Sequence, residues 1–484
     1  MGLLGILVGL GLLVLLAYRG WSVLLLAPGA ALVAALFAGE PLLAHWTETF
    51  MGSAARFVAQ FFPIFLLGAV FAKLMEDSGA VAAIADWLTA KLGAGRAMLA
   101  VVIAGAAVTY GGVSLFVAYF VLAPMAVALF RAADIPRRLM PAAICLGSST
   151  FTMSALPGSP AIPNAIPTAF FGTTPFAAPG LGIVAAAVMA AIGMWWLNRA
   201  EAAARARGEG FGDDRPGAAE AAADDPIVRE RAVASRDFDP AEIHRSPAAA
   251  AGPPILFAAL PLIVVVVVNL LMSLVILPRI DTGFLAEPRF GGITLASVAG
   301  VWSVATALLA AILVHLALNG RRVPVLRATM DAGANAAVLP VLSVGSLVGF
   351  GAVVAAMPAF AVVRDWVLGI GGGPLVSLAV ATNVLAALTG SASGGLTIAL
   401  DALGPTYMAL AAERGIDPGL LHRIAVIGAG TLDILPHNGA IITLLAVCGC
   451  THRESYLDIV MVAIVSSLAA LGAVIVLGSL FGSF

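Results

Sequence analysis

An aspartate, a histidine and an asparagine fall close together in Gly430-Thr431-Leu432-Asp433-Ile434-Leu435-Pro436-His437-Asn438-Gly439, inside an otherwise apolar stretch. An imidazole titrates near neutral pH and can carry a proton. A carboxyl in a low-dielectric site has its pKa raised and can do the same. Asp433 and His437 therefore read as proton-coupling groups, and His437 and Asn438 also as substrate ligands. Two other readings stay open: Asp433 as a hydrogen-bonded acid that fixes the hairpin, and His437 as a neutral hydrogen-bonding ligand of substrate or backbone. Pro436 lacks an N–H and breaks the helix that would otherwise run through.

These residues must be positioned by membrane helices. The 484-residue chain is 61% hydrophobic and 11% charged, against about 25% charged in soluble domains. Apolar runs recur at Ile6–Leu16, Val23–Phe37, Phe57–Met75, Leu181–Leu197, Ile255–Leu277 and Ile459–Leu480, near the roughly 20 residues a spanning helix needs. The first run lacks a basic flank and leads at once into a second, so it does not read as a cleaved signal. Cys145, Cys448 and Cys450 form no CxxC pair and read as small packing residues. We expect no cofactor, no metal and no nucleic-acid partner.

One stretch is dense in charge, Ala, Gly and Pro, and reads as a cytoplasmic linker at 198–250. It separates two membrane halves, 1–197 and 251–484. The halves match weakly but in order: Pro63 with Pro340, Gly68 with Gly345, Asp86-Trp87 with Asp365-Trp366, Thr109 with Thr389, and Pro157 with Pro436. Each half then holds a Gly-rich hairpin (96–131 and 374–412) and a broken helix (139–170 and 420–450). With the linker in the cytoplasm, basic residues fall mostly on cytoplasmic loops, as membrane topology requires. That count places Lys73 in a cytoplasmic loop and Arg423 in an external one, with Glu76 and Asp77 solvated at a span end and both termini outside. It works only if the hairpins re-enter from opposite sides. The halves are then inverted repeats, the pattern of a secondary transporter.

Unpartnered backbone is tolerated at membrane depth only inside protein or beside a water-filled cavity. The four breaks should therefore meet around one cavity, with new helix N-termini pointing into it. Such ends can hold an anion without a buried Arg, and none is expected in the core of these segments. The candidate substrate ligands are Thr109, Gly111, Gly112, Ser114, Ser159, Asn164, Ser391, Ser393, Gly394, Thr397, His437 and Asn438. Small residues here can also serve only close helix packing. His452 is expected to have no transport role, and Asp401 is a weaker candidate.

"LGSSTFTMSALPGSPAIPNAIPTAFFGTTPFAAPGLGI" (146–183) and "GTLDILPHNGAIITLLAVCGCTHRESYLDI" resemble the gluconate permease family, and within it the D-β-hydroxybutyrate permeases. The resemblance covers most of the chain outside the linker. It implies an all-α polytopic protein of the inner membrane that takes up hydroxy acids with protons. It also implies a homodimer with a scaffold and an elevator-like transport domain at about 96–178 and 374–455.

The function expected is proton-coupled import of a small hydroxycarboxylate, 3-hydroxybutyrate first. The alternatives are gluconate or another small carboxylate, and sodium as the coupling ion. An intramembrane hydrolase built on Ser, His437 and Asp433 is disfavoured. The breaks occur in both halves, the ionisable groups in one, and no nucleophile motif of the GxSxG type precedes a helix. A passive channel would differ by failing to accumulate substrate against a gradient.

Overall fold

We describe residues 1–18, 21–113, 115–212, 252–436 and 438–484 in a computed structural model. Ser114, His437 and the linker beyond residue 212 lie outside the described residues.

Among the described residues every regular element is helical. Leu-, Ala- and Val-rich segments form helices here because lipid offers the backbone no partners, so each segment must pair its own peptide groups. Among the described residues, seven helices are long and apolar enough to cross a membrane: Leu42–Asp77, Pro179–Ala206, Ile255–Arg279, Leu295–Arg322, Leu326–Ala356, Ala392–Arg414 and His452–Phe481.

Leu42–Asp77 and Leu326–Ala356 pack along one another and form the spine of the fold. Hydrophobic driving force between helices is weak in lipid, so close approach through small residues matters. A Cβ at Gly333 would lie 2.7 Å from the Val70 Cα, and one at Gly349 2.9 Å from the Phe50 ring and carbonyl.

The first hairpin is Ala97–Tyr110 and Leu115–Ala132, turning at Gly111-Gly112. The second is Gly373–Thr389 and Ala392–Arg414, turning at Gly390 with φ 62°. The first broken helix comprises Met140–Ser148, Phe151–Ser154 and Ile162–Phe171, and the second Pro418–Leu432 and Gly439–Val447.

Their packing alternates between halves. Ala97–Tyr110 lies on Met140–Ser148, and Gly373–Thr389 on Pro418–Leu432. Ile162–Phe171 crosses to the second hairpin arm Ala392–Arg414, and Gly439–Val447 crosses to the first hairpin arm Leu115–Ala132.

Gly147 sits where the first hairpin meets the first broken helix. A Cβ there would lie 2.3 Å from the Val102 carbonyl oxygen, a backbone atom with no room to retreat. Gly147→Ala should therefore destabilise by about 1–3 kcal/mol through overpacking. Thermal unfolding in detergent checks this, and an unchanged midpoint would contradict the contact.

Three expectations about charged residues are corrected by the structure. Lys73 is inside helix Leu42–Asp77 rather than in a loop, fully buried, 3.1 Å from Glu76 and 3.0 Å from Asp77. Asp77 is buried rather than solvated and accepts a 2.6 Å hydrogen bond from the Thr329 hydroxyl. Spacing of three and four residues on one helix face makes this triad, so residues assigned to a span end form an internal tie between the two spine helices. Arg423 is also internal, as described below.

Helix Pro179–Ala206 runs past the expected linker boundary. The residues after it fold back on the base of the first hairpin. Glu209 accepts from Arg138 at 2.7 Å, and the Phe211 N–H donates to Asp134 at 3.0 Å. The hydrogen bond from Arg138 holds the Glu209 carboxyl below its ordinary range. This tie is present at neutral pH and weakens as pH falls through that lowered value.

Candidate functional site

A cavity of about 50 Å³ lies between the two hairpin tips and the first broken helix; among the described residues, none of the second broken helix lines it. Thr109, Gly112, Val113 and Leu115 come from the first hairpin tip. Ser148, Thr152, Met153 and Pro160–Pro163 come from the first broken helix, and Ser393 from the second hairpin. Ile64, Phe65 and Gly68 of the spine and Leu308 of helix Leu295–Arg322 close it. Gly112, at φ 95°, is in a backbone region that favours glycine, and a Cβ there would touch Pro160 and Leu308 at 3.4 Å.

The hydroxyls around this cavity differ in what they have left to offer. Thr109 donates to the Gly105 carbonyl at 2.7 Å, Ser148 to Ile144 at 2.6 Å, and Thr152 to Gly147 at 2.9 Å. With their protons held by their own helices, they face the cavity as acceptors. Ser393 differs. Its Oγ makes no hydrogen bond to the described residues, and it is the second residue of its helix. Helix-start N–H groups have no acceptor one turn back, so Ser393 can offer both an O–H and an N–H. A carboxylate needs donors, and Ser393 supplies them.

The other sequence candidates are placed differently. Ser391 caps its helix, its Oγ accepting from the Gly394 N–H at 3.0 Å. Gly394 faces away from the cavity, where a Cβ would strike Leu347 at 2.5 Å, and Gly111 likewise faces Leu262. Thr397 is buried and donates to the Ser393 carbonyl at 2.7 Å. Ser159 is buried, its carbonyl accepting from Asn164 at 2.9 Å. Asn164 also donates to Pro175 at 3.0 Å, so its amide holds the break closed and does not reach the cavity. Asp433 is fully buried at the end of helix Pro418–Leu432. Gly430, one turn earlier, lies against Ser154 and Met153 beside the cavity.

Asn438 caps the helix after the second break. Its Oδ1 accepts from Ala440 at 2.7 Å and Ile441 at 3.3 Å, and its Nδ2 donates to Gly390 at 2.9 Å. This amide joins the second break to the second hairpin tip. Asn438→Ala should therefore cost about 1–2 kcal/mol of stability, as lost caps do, and lower the melting temperature. An unchanged melting temperature would show that the cap contributes nothing.

Carbonyls freed by the breaks are met by side chains the sequence did not single out. Tyr110 donates its hydroxyl to Pro157 at 2.7 Å, and Asn269 its amide to Gly158 at 2.9 Å. At the second break Tyr456 donates to Ile434 at 3.1 Å, and the His452 ring nitrogen is 2.8 Å from the Pro436 carbonyl oxygen. His452, expected to be a bystander, thus supports the break.

The expectation that no Arg lies in the core of these segments is overturned. Arg423 sits one and a half turns into helix Pro418–Leu432, fully buried. It donates to the Ala177 carbonyl at 2.6 and 3.2 Å, and at 3.4 Å to both the Ser154 carbonyl and Asn164 Oδ1. His422 beside it is 3.3 Å from the same Asn164 oxygen and 2.7 Å from the Thr173 hydroxyl. The available signal was a His-Arg pair inside an apolar helix with no acid one turn away.

Known proteins place this geometry. The uncharacterized transporter YxjC of Bacillus subtilis (strain 168) is 41% identical over 489 aligned positions, spanning all of both chains. The GntP family permease description matches residues 1–205. The chain belongs to the GntP permease family. It is a multi-pass membrane permease with an all-helical transporter fold. Among solved structures, Neisseria gonorrhoeae MtrF, described as illuminating a class of antimetabolite efflux pumps, superposes with a TM-score of 0.50. That match has 14% identity and covers 91% of this chain and 85% of that one, a likeness of fold alone. The Alcanivorax borkumensis YdaH transporter gives 0.48 at 17% identity, covering 91% and 88%.

Proposed function

We propose that this GntP-family permease is a proton-coupled secondary transporter that imports a small hydroxycarboxylate, with 3-hydroxybutyrate as the first candidate. The observation that carries the reading is the cavity itself. It offers Ser393 as donor, Thr109, Ser148 and Thr152 as acceptors, and an apolar wall of Ile64, Phe65, Met153 and Leu308. A carboxylate, one hydroxyl and a terminal methyl match that division of labour. A polyol acid such as gluconate would press its further hydroxyls onto the apolar wall without partners.

In this reading the two halves are inverted repeats, supported by the crossed pairing of hairpins and broken helices. The hairpins and broken helices move together as an elevator against the spine. The site residues Gly112, Thr109 and Ser393 contact substrate directly. Ser391, Asn164, Thr397 and Asn438 hold the segments that carry them, and His437 and Asp433 handle the proton. A homodimer in the inner membrane, with the linker cytoplasmic and both termini outside, belongs to the same proposal.

Proteoliposomes loaded at alkaline pH and diluted into acidic buffer test it. Radiolabelled 3-hydroxybutyrate should accumulate above its outside concentration without sodium. Accumulation driven by a sodium gradient alone would overturn proton coupling. Equal competition by gluconate would overturn the assignment to a short acid.

A further inference from the structure

Among the described residues, the cavity's own lining carries no formal charge, yet the proposed substrate is an anion. Ser393 and a helix start offer donors, but they are weak beside the cost of bringing a carboxylate into a low-dielectric interior. A fixed positive charge nearby would change that balance.

Arg423 is such a charge. It is among the largest fully buried side chains in the protein. Every acceptor of its guanidinium among the described residues is neutral: two backbone carbonyls and the amide oxygen of Asn164. Among the described residues, no carboxylate lies within ion-pair distance of it. A buried ion without a counter-ion is expensive and points to a functional use.

Its position shows what the use is. Ser154 and Asn164, which it grips, flank the first break from either side. Their chain neighbours Met153 and Pro163 line the cavity. The guanidinium therefore stands directly behind the cavity wall, one residue layer away, and its own hydrogen bonds hold it there.

We propose that Arg423 is the charge that selects anionic substrates, acting through space across the first break while its hydrogen bonds to Ser154, Asn164 and Ala177 keep it out of direct contact. This rests on the transport reading above and names what gives that site its preference for an acid. Arg423 is thus a positioning and specificity residue, and its field adds to the donors of Ser393. Across one layer of side chains in a protein interior, one unit charge favours an anion by about tenfold or more.

The experiment compares wild type with Arg423→Lys and Arg423→Met in nanodiscs. Affinities are measured for 3-hydroxybutyrate and for its neutral methyl ester. Arg423→Met should lose about tenfold of the preference for the acid over the ester, with ester affinity little changed. Arg423→Lys, which keeps the charge, should retain most of the preference. A purely structural role would weaken both ligands alike and would overturn the inference.

A second measurement needs no substrate. A cysteine in place of Met153, with Cys145, Cys448 and Cys450 changed to alanine, reports the field at the cavity wall. Anionic methanethiosulfonate reagents should outpace cationic ones there, relative to a small free thiol. Arg423→Met should reduce that ratio about tenfold. If wild type binds neither ligand but the ratio responds, the substrate assignment fails and the field at the cavity stands. Should Arg423→Met not fold, a ratio in the Met153→Cys protein no higher than that of the free thiol still overturns the proposal.

Discussion

Asp433→Asn is expected to reduce proton-driven accumulation about a hundredfold while leaving substrate exchange across the membrane partly intact. The carboxyl is fully buried at the end of helix Pro418–Leu432, one turn beyond the contact of Gly430 with Ser154 and Met153. Carrying an ionised acid across the membrane costs more than carrying the same acid protonated. In the proposed cycle the loaded domain moves with this acid neutral and releases the proton on the other side. Asparagine keeps the neutral shape and cannot release a proton. Exchange needs only the loaded form and should survive, whereas net uptake needs the proton to leave. The two are separated by counterflow and by pH-gradient uptake in the same proteoliposomes. A variant that still concentrates substrate on a pH gradient removes Asp433 from the coupling path.

Ser393→Ala should raise the dissociation constant for the carboxylate by about 10- to 100-fold, since a hydrogen bond to a charged group contributes roughly 1.5–3 kcal/mol. Its stability should hardly move. The Ser393 Oγ has no partner among the described residues, and alanine is a good helix former near the start of a helix. Ser391→Ala is the control. That hydroxyl caps the Gly394 N–H, so its loss should lower the melting temperature by an amount matching about 1 kcal/mol. Equilibrium binding and thermal unfolding on the two variants separate a ligand from a cap. If Ser393→Ala binds normally, the carboxylate is held elsewhere.

The contrast between these two serines shows where sequence reading ends. Both stand in Thr389-Gly390-Ser391-Ala392-Ser393-Gly394, and both were candidates on equal terms. Two residues of separation on a helix start is just over half a turn, so one hydroxyl turns onto the Gly394 N–H of its own helix and the other faces the cavity. Likewise Gly111 and Gly112 are adjacent, yet one meets Leu262 and the other the cavity. Asn164 and Asn438 were chosen as polar groups at breaks, which they are. Their amide nitrogens donate to carbonyls freed at the breaks and hairpin tip, a pairing that sequence position alone does not reveal.

The sequence by itself determined the all-helical membrane class and the Pro- and Gly-rich points at which helices stop. Those signals are local: hydropathy over a span length, and Pro or Gly where a helix cannot continue. The hairpin bounds 96–131 and 374–412 lie within a few residues of Ala97–Ala132 and Gly373–Arg414. Only the tertiary structure decided which faces of the breaks meet, that Lys73 and Asp77 tie the spine internally, and that Arg423 stands behind the cavity. Burial of a charge depends on residues brought from elsewhere in the chain. Ala177, Ser154 and Asn164 surround Arg423 from more than two hundred positions away, and no period or propensity in its own helix encodes that meeting.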